Sequence, residues 1–120
     1  MQNGSLTIKG GTIESSATAE TVAALYISNT SATVNIGEDG GIPSTTSPLI
    51  KATGTYGVSG VANAKMNFYD GKIVGKTAQS IHANVAVTPQ VNYRVNKETV
   101  GSTEEATLKN DPPVVENIAG

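Results

Sequence analysis

Few side chains in this chain can do acid–base or nucleophilic chemistry. The 120 residues contain one histidine, His82, one arginine, Arg94, and no cysteine. One histidine cannot supply a His-rich metal site, and no Ser-His-Asp set can be assembled around it. Without cysteine there is no disulfide framework and no thiolate site. The carboxylates are scattered. Glu38-Asp39 is an adjacent pair in one turn, and Asp70 and Lys72 fall in a turn that matches it. Brought to one edge, they would offer oxygen ligands for a weak Ca²⁺ site, or paired acids for cleaving a polysaccharide. A solvated, charged corner is the plainer expectation. Gly75-Lys76-Thr77 ends like a phosphate-binding loop, but that loop needs a glycine five residues earlier and a helix after it. Position 70 is Asp, and Ala78-Gln79-Ser80-Ile81-His82 does not read as a helix. A turn between strands is expected there. Tyr26, Tyr56, Tyr69 and Tyr93 are the flat rings on which a sugar could stack. Tyr26 and Tyr56 fall in related segments and are expected on one side, although half-buried tyrosines with wet hydroxyls need no ligand. His82 is expected as an outward strand residue. No residue is assigned a catalytic, cofactor-binding or metal-binding role, and the chain is expected not to be an enzyme.

The bulk composition narrows the partners. Net charge is −2, and only 15% of residues are charged, against about 25% in an average domain. That balance leaves no electrostatic footprint for nucleic acid. No apolar run approaches the roughly 20 residues of a membrane helix, so no membrane insertion is expected. Met1-Gln2-Asn3-Gly4-Ser5 has neither the basic nor the apolar region of a secretory signal. That leaves an intracellular protein or a piece of a longer exported chain, and a composition with 15 Thr, 10 Ser, 10 Asn and 13 Gly, ordinary for bacterial surface modules, favours the second. Asn110-Asp111-Pro112-Pro113-Val114-Val115-Glu116 reads as an extended linker, because paired prolines remove two donors and disfavour helix.

The elements that must position these residues come from a repeat. Ser5-Leu6-Thr7-Ile8-Lys9-Gly10-Gly11-Thr12-Ile13 has the same order as Thr33-Val34-Asn35-Ile36-Gly37-Glu38-Asp39-Gly40-Gly41-Ile42 and Lys65-Met66-Asn67-Phe68-Tyr69-Asp70-Gly71-Lys72-Ile73. Each is apolar, polar, apolar, then a glycine-containing turn, then isoleucine. Alternation over so few residues is a short half-buried strand. The expected inward stacks are Leu6/Val34/Met66, Ile8/Ile36/Phe68 and Ile13/Ile42/Ile73. Thr7/Asn35/Asn67 is the expected outward stack, whose aligned amides can bond to one another. Leu25-Tyr26-Ile27-Ser28 resembles Tyr56-Gly57-Val58-Ser59, with Ile81-His82 as a third member. The window Thr18 to Ile27 has some helical content, one turn at most. With no crossover helices, a βαβ sheet is excluded. A parallel β-helix (β-solenoid) of about three coils is expected, against the alternative of a small antiparallel β-sandwich.

The strings Gly-Ser-Leu-Thr-Ile-Lys-Gly-Gly-Thr-Ile (residues 4–13) and Met-Asn-Phe-Tyr-Asp-Gly-Lys-Ile-Val-Gly-Lys-Thr (residues 66–77) resemble right-handed parallel β-helix repeats of large, adhesin-like surface proteins of Gram-positive bacteria. The resemblance spans about Gly4 to Asn84. It implies an extracellular, cell-surface location and a structural or adhesive role, and it carries no binding residue. The chain departs from that pattern in having only three clear copies. The expected organisation is β-helix coils over 1–84 (repeats near 5–32, 33–64 and 65–84), a capping or transition segment over 85–108 that forms a short C-terminal β cap, and an extended Pro-containing linker over 109–120. Within the capping segment, Asn96 to Ser102 reads as turn-rich and polar. The expected function is a stiff, non-catalytic stalk, fibre or filament segment. Its partners would be neighbouring domains or subunits at open ends, with surface polysaccharide as a further partner. The alternative is a fragment of a tailspike- or lyase-like protein that binds or degrades polysaccharide. Nothing in Leu6 to Ile13 guards an open strand edge, so association through that edge is expected.

Overall fold

The computed structural model describes residues 4–16 and 23–111, and among these there are strands and no helix. In chain order they are β1 (Gly4–Ile8), β2 (Thr12–Ser15), β3 (Leu25–Ile27), β4 (Ala32–Ile36), β5 (Leu49–Ala52), β6 (Val58–Gly60), β7 (Ala64–Phe68), β8 (Lys72–Lys76), β9 (Val85–Pro89), β10 (Tyr93–Val100) and β11 (Thr103–Asn110). The window read as weakly helical ends in strand β3, and its residues 18–22 lie outside the described residues, as do Pro112 to Gly120 of the expected linker.

The strands form three separate sheets, ordered β1-β4-β7-β9, β10-β11-β8-β5-β2 and β3-β6. The expected parallel β-helix of about three coils with a short C-terminal β cap is therefore corrected. The chain is all-β, but no sheet closes and the largest is mixed. The segment after Asn84 makes the difference. β9 joins the first sheet as a fourth parallel strand on β7. β11 runs antiparallel to β8, and β10 runs antiparallel to β11. What was read as a short cap includes two strands of eight residues. Val100 pairs with Thr103, which leaves Gly101 and Ser102 as a two-residue turn with Gly101 at φ +61°, the backbone such hairpins need. Asn96 to Val100 is strand, where a polar turn was expected. Its sequence carries little apolar signal because most of β10, the last strand of its sheet, is exposed.

The registers of the first sheet follow the repeat. Leu6 pairs with Val34 and Val34 with Met66, while Ile8 pairs with Ile36 and Ile36 with Phe68. Val34, Ile36, Met66 and Phe68 are all buried. The third stack needs correction: Ile13 pairs with Ile50, and Ile50 with Ile73. Ile42 is 90% exposed. The middle copy has expanded its turn into a loop, residues 37–48, so the isoleucine after Gly40-Gly41 lies on that loop and the next strand begins at Leu49. In the smallest sheet Leu25 pairs with Val58, and Val58 bridges Ile81 as the third member. Leu25 thus meets Val58 rather than Tyr56, a slip of two residues that keeps each side chain on its face.

Ile36, Ile50, Val58, Phe68 and Ile73 lie at the centre of the core, with Ala106 and Leu108 of β11 closing onto it. At roughly 25 cal/mol per Å² of apolar surface removed from water, such side chains dominate the favourable side of folding.

Candidate functional site

Three places gather polar or unsatisfied groups: a cleft at the corner after β4, an aromatic pair beside β6, and the open edge of β1.

The cleft has a volume of about 330 Å³ and is lined by Thr7, Asn35, Gly37, Glu38, Asp39 and Tyr69. One wall is the outward ladder. Asn67 donates its amide to Asn35 Oδ1 at 2.9 Å, and Asn35 donates to Thr7 Oγ1 at 3.1 Å. The expected amide stack is therefore formed, and it ends at Thr7, whose hydroxyl hydrogen is free to rotate. Glu38 and Asp39 lie on the rim. Glu38 forms a 3.5 Å ion pair with Lys9, both well exposed, which contributes little in water. Asp70 packs directly against Gly37, beside the turn that carries Glu38 and Asp39, but its carboxylate and the Lys72 ammonium are engaged by other partners. Asp70 accepts a hydrogen bond from the Ser44 backbone N–H and fixes the 37–48 loop. Lys72 pairs with Glu105 of β11 at 3.2 Å and ties the hairpin to β8. Among the described residues no three His, Cys, Asp or Glu side chains are grouped to hold a metal ion.

Gln90 was not singled out from the sequence. It is buried, and its side chain accepts from Gly40 N–H and donates to the carbonyls of Tyr69 and Gly41. One amide therefore fastens the far side of the same loop. A lone Gln after a proline carries no pattern that would reveal this. Glu104, also missed, accepts from the backbone N–H and the hydroxyl of Ser80 at 3.0 and 2.5 Å. Several carboxylates are thus occupied in holding loops and strands together.

Beside β6, the Tyr56 and His82 rings lie 4.7 Å apart and tilted by 58°. His82 Nδ1 accepts the Asn84 N–H at 2.9 Å, which leaves the proton of a neutral ring on Nε2. Tyr26 sits on β3 opposite Ser59 and is 39% exposed. The Tyr56 ring packs against His82 and is half-buried. Gly75-Lys76 ends strand β8 and opens no helix. A Cβ at Gly75 would lie 1.8 Å from the Gln79 carbonyl, so glycine is required there by a tight turn.

The third place is made of backbone. β1, β2 and β3 each end a sheet, and they stack on β4, β5 and β6. Each is therefore the last strand of its sheet, paired with one neighbouring strand among the described residues. Gly37 N–H donates to Ile8 C=O, so Ile8 faces β4. By alternation along the strand, Thr7 and Ser5 turn their N–H and C=O groups away from it, toward the open edge. Leu6 is 40% exposed, whereas Val34 in the same ladder is 2% exposed.

Compared with known proteins, the chain matches no family model, no curated protein and no solved structure.

Proposed function

We propose that this chain is a non-catalytic structural and adhesive module of an exported bacterial surface protein, joining its neighbours through open strand edges. The observation that carries this reading is the β1 edge, where Ser5 and Thr7 turn backbone groups away from β4 with no strand beyond them among the described residues, and where Leu6 is thinly covered. Backbone groups in that arrangement recruit another strand. The engagement of Asp70, Glu104 and Glu105 in hydrogen bonds and an ion pair supports a structural use of the carboxylates. The low charge and the Thr-, Ser- and Asn-rich composition support the surface location.

A second reading, polysaccharide binding or cleavage, draws on the cleft, where two carboxylates, an amide ladder, a hydroxyl and the Tyr69 ring meet. One experiment separates the two. The chain is displayed on cells, their attachment to surfaces is measured, and the purified chain is incubated with a panel of polysaccharides. The module reading expects attachment above that of bare cells, unchanged by Asp39→Ala, and no new reducing ends. Reducing ends that vanish in Asp39→Ala, or attachment no greater than that of bare cells, would overturn it.

A further inference from the structure

We propose that the β1 edge pairs with β1 of a second copy of this chain, antiparallel and across a two-fold axis at Thr7. This rests on the reading of the open edges as the working surface, and it names the partner.

The two ends of the first sheet are not alike. At the far end, β9 pairs with β7, and Gln90 N–H donates to Phe68 C=O. Alternation then puts Pro89 on the side facing away from β7, where it has no N–H to offer an incoming strand. The far edge of the largest sheet is β10, which carries Arg94, Lys97 and Glu98. Proline and charge are the means by which strand edges resist addition. β1 has neither: it reads Gly-Ser-Leu-Thr-Ile. Head-to-tail stacking would press a guarded edge on an unguarded one. Head-to-head pairing joins two unguarded edges.

The β1 sequence is complementary to itself. Thr7 faces the open edge with both its N–H and its C=O, so two copies of Thr7 placed opposite each other exchange two backbone hydrogen bonds. In that register Leu6 of one copy lies opposite Ile8 of the other, on the inward face, and each covers apolar surface that its own molecule leaves exposed or half-buried. The two threonine side chains meet on the outward face, a favourable cross-strand pair. There the Thr7 hydroxyl, already an acceptor for Asn35, has a partner for its own hydrogen. Ser5 falls opposite Lys9, and the two Lys9 side chains stand four residues apart along the ladder, about 13 Å. That separation exceeds the screening length of roughly 8 Å at physiological salt, so the like charges do not oppose the pairing. The result is a continuous eight-stranded sheet, β9-β7-β4-β1 from one copy followed by β1-β4-β7-β9 from the other. It is closed by symmetry and does not grow further.

Sedimentation velocity of the full chain over a wide concentration range tests this, together with Thr7→Pro and Leu6→Lys. The expected result is a discrete monomer–dimer equilibrium. Thr7→Pro removes an N–H that points away from β4, so it should weaken the dimer about tenfold or more while the far-UV spectrum and the unfolding of the dilute monomer stay unchanged. Leu6→Lys places a charge on the inward face of the edge and should also dissolve the dimer, which keeps the test decisive if the proline variant does not fold. A monomer at every concentration, an open-ended polymer, or a dimer that survives both folded variants would overturn the pairing. A monomer leaves the attachment assay above to judge the module reading. Polysaccharide cleavage would sink that reading and leave the dimer standing.

Discussion

Strands β1 and β4 carry the same pattern in two settings. Leu6-Thr7-Ile8 and Val34-Asn35-Ile36 are register partners in one parallel ladder, yet Val34 and Ile36 are buried while Leu6 is 40% exposed. β4 has a strand on each side, and β1 has one on a single side. The apolar–polar–apolar pattern therefore sets which way side chains face, and the place in the ladder sets how much surface is buried. The energetic weight of a repeat position should follow its layer and not its residue type.

The largest effect expected from this comparison is at Ile36. Ile36→Asp would leave an unpaired carboxylate between Ile8 and Phe68, at a cost of several kcal/mol, enough to unfold a domain of this size. Urea melts should show no native baseline. Asn35→Asp, one residue away, should cost less than about 1 kcal/mol: Asn67 still has an acceptor, and the Thr7 hydroxyl can turn to donate. Equal losses at the two positions would break the assignment of faces.

The two isoleucines that compete for the third stack give the next test. Ile50→Ala should cost about 2–5 kcal/mol, as expected for a buried aliphatic truncation. Ile42→Ala should change stability by less than about 0.5 kcal/mol. Thermal melts of the pair decide whether the 37–48 loop has left the stack, as its 90% exposed isoleucine indicates. Between layers, Met66→Ala should fall in the same 2–5 kcal/mol range. Leu6→Ala in dilute solution should cost under about 1 kcal/mol, because its ladder position lacks an outer neighbour. One substitution is expected to give a gain. Ala78 sits at φ +65°, in the left-handed region where a Cβ is costly, so Ala78→Gly should stabilise by up to about 1 kcal/mol in a urea melt.

The sequence made the first sheet legible because two-residue alternation and a recurring glycine turn are both local signals. They placed Leu6, Val34 and Met66 in one stack and Thr7, Asn35 and Asn67 in another. The antiparallel hairpin was not legible. Tyr93-Arg94-Val95 alternates at the start of β10, but the rest of β10 and β11 is rich in Glu, Lys, Thr and Asn, and only Ala106 and Leu108 of β11 are buried, so neither strand alternates along its whole length. The Ile42 error has the same kind of cause. Asp70 and Gln90 hold the loop across gaps of 26 and 50 residues, and such contacts leave no trace in the neighbouring sequence. Of the candidate chemistry, the turn reading of Gly75-Lys76-Thr77 was visible from the absence of a helix. The pairing of Asp70 with the Ser44 N–H and of Lys72 with Glu105 was not, because each joins residues far apart along the chain.

The measurement that bears most directly on the role of the open β1 edge is amide hydrogen exchange at Thr7, recorded at low and high protein concentration. Its N–H points away from β4 and has no ladder partner among the described residues of one copy, whereas the Ile8 N–H faces β4. The account expects fast exchange at Thr7 in dilute solution and protection that rises with concentration, while Ile8 is protected in both. A Thr7 amide protected already in the dilute monomer, or one that exchanges freely at every concentration, would contradict it.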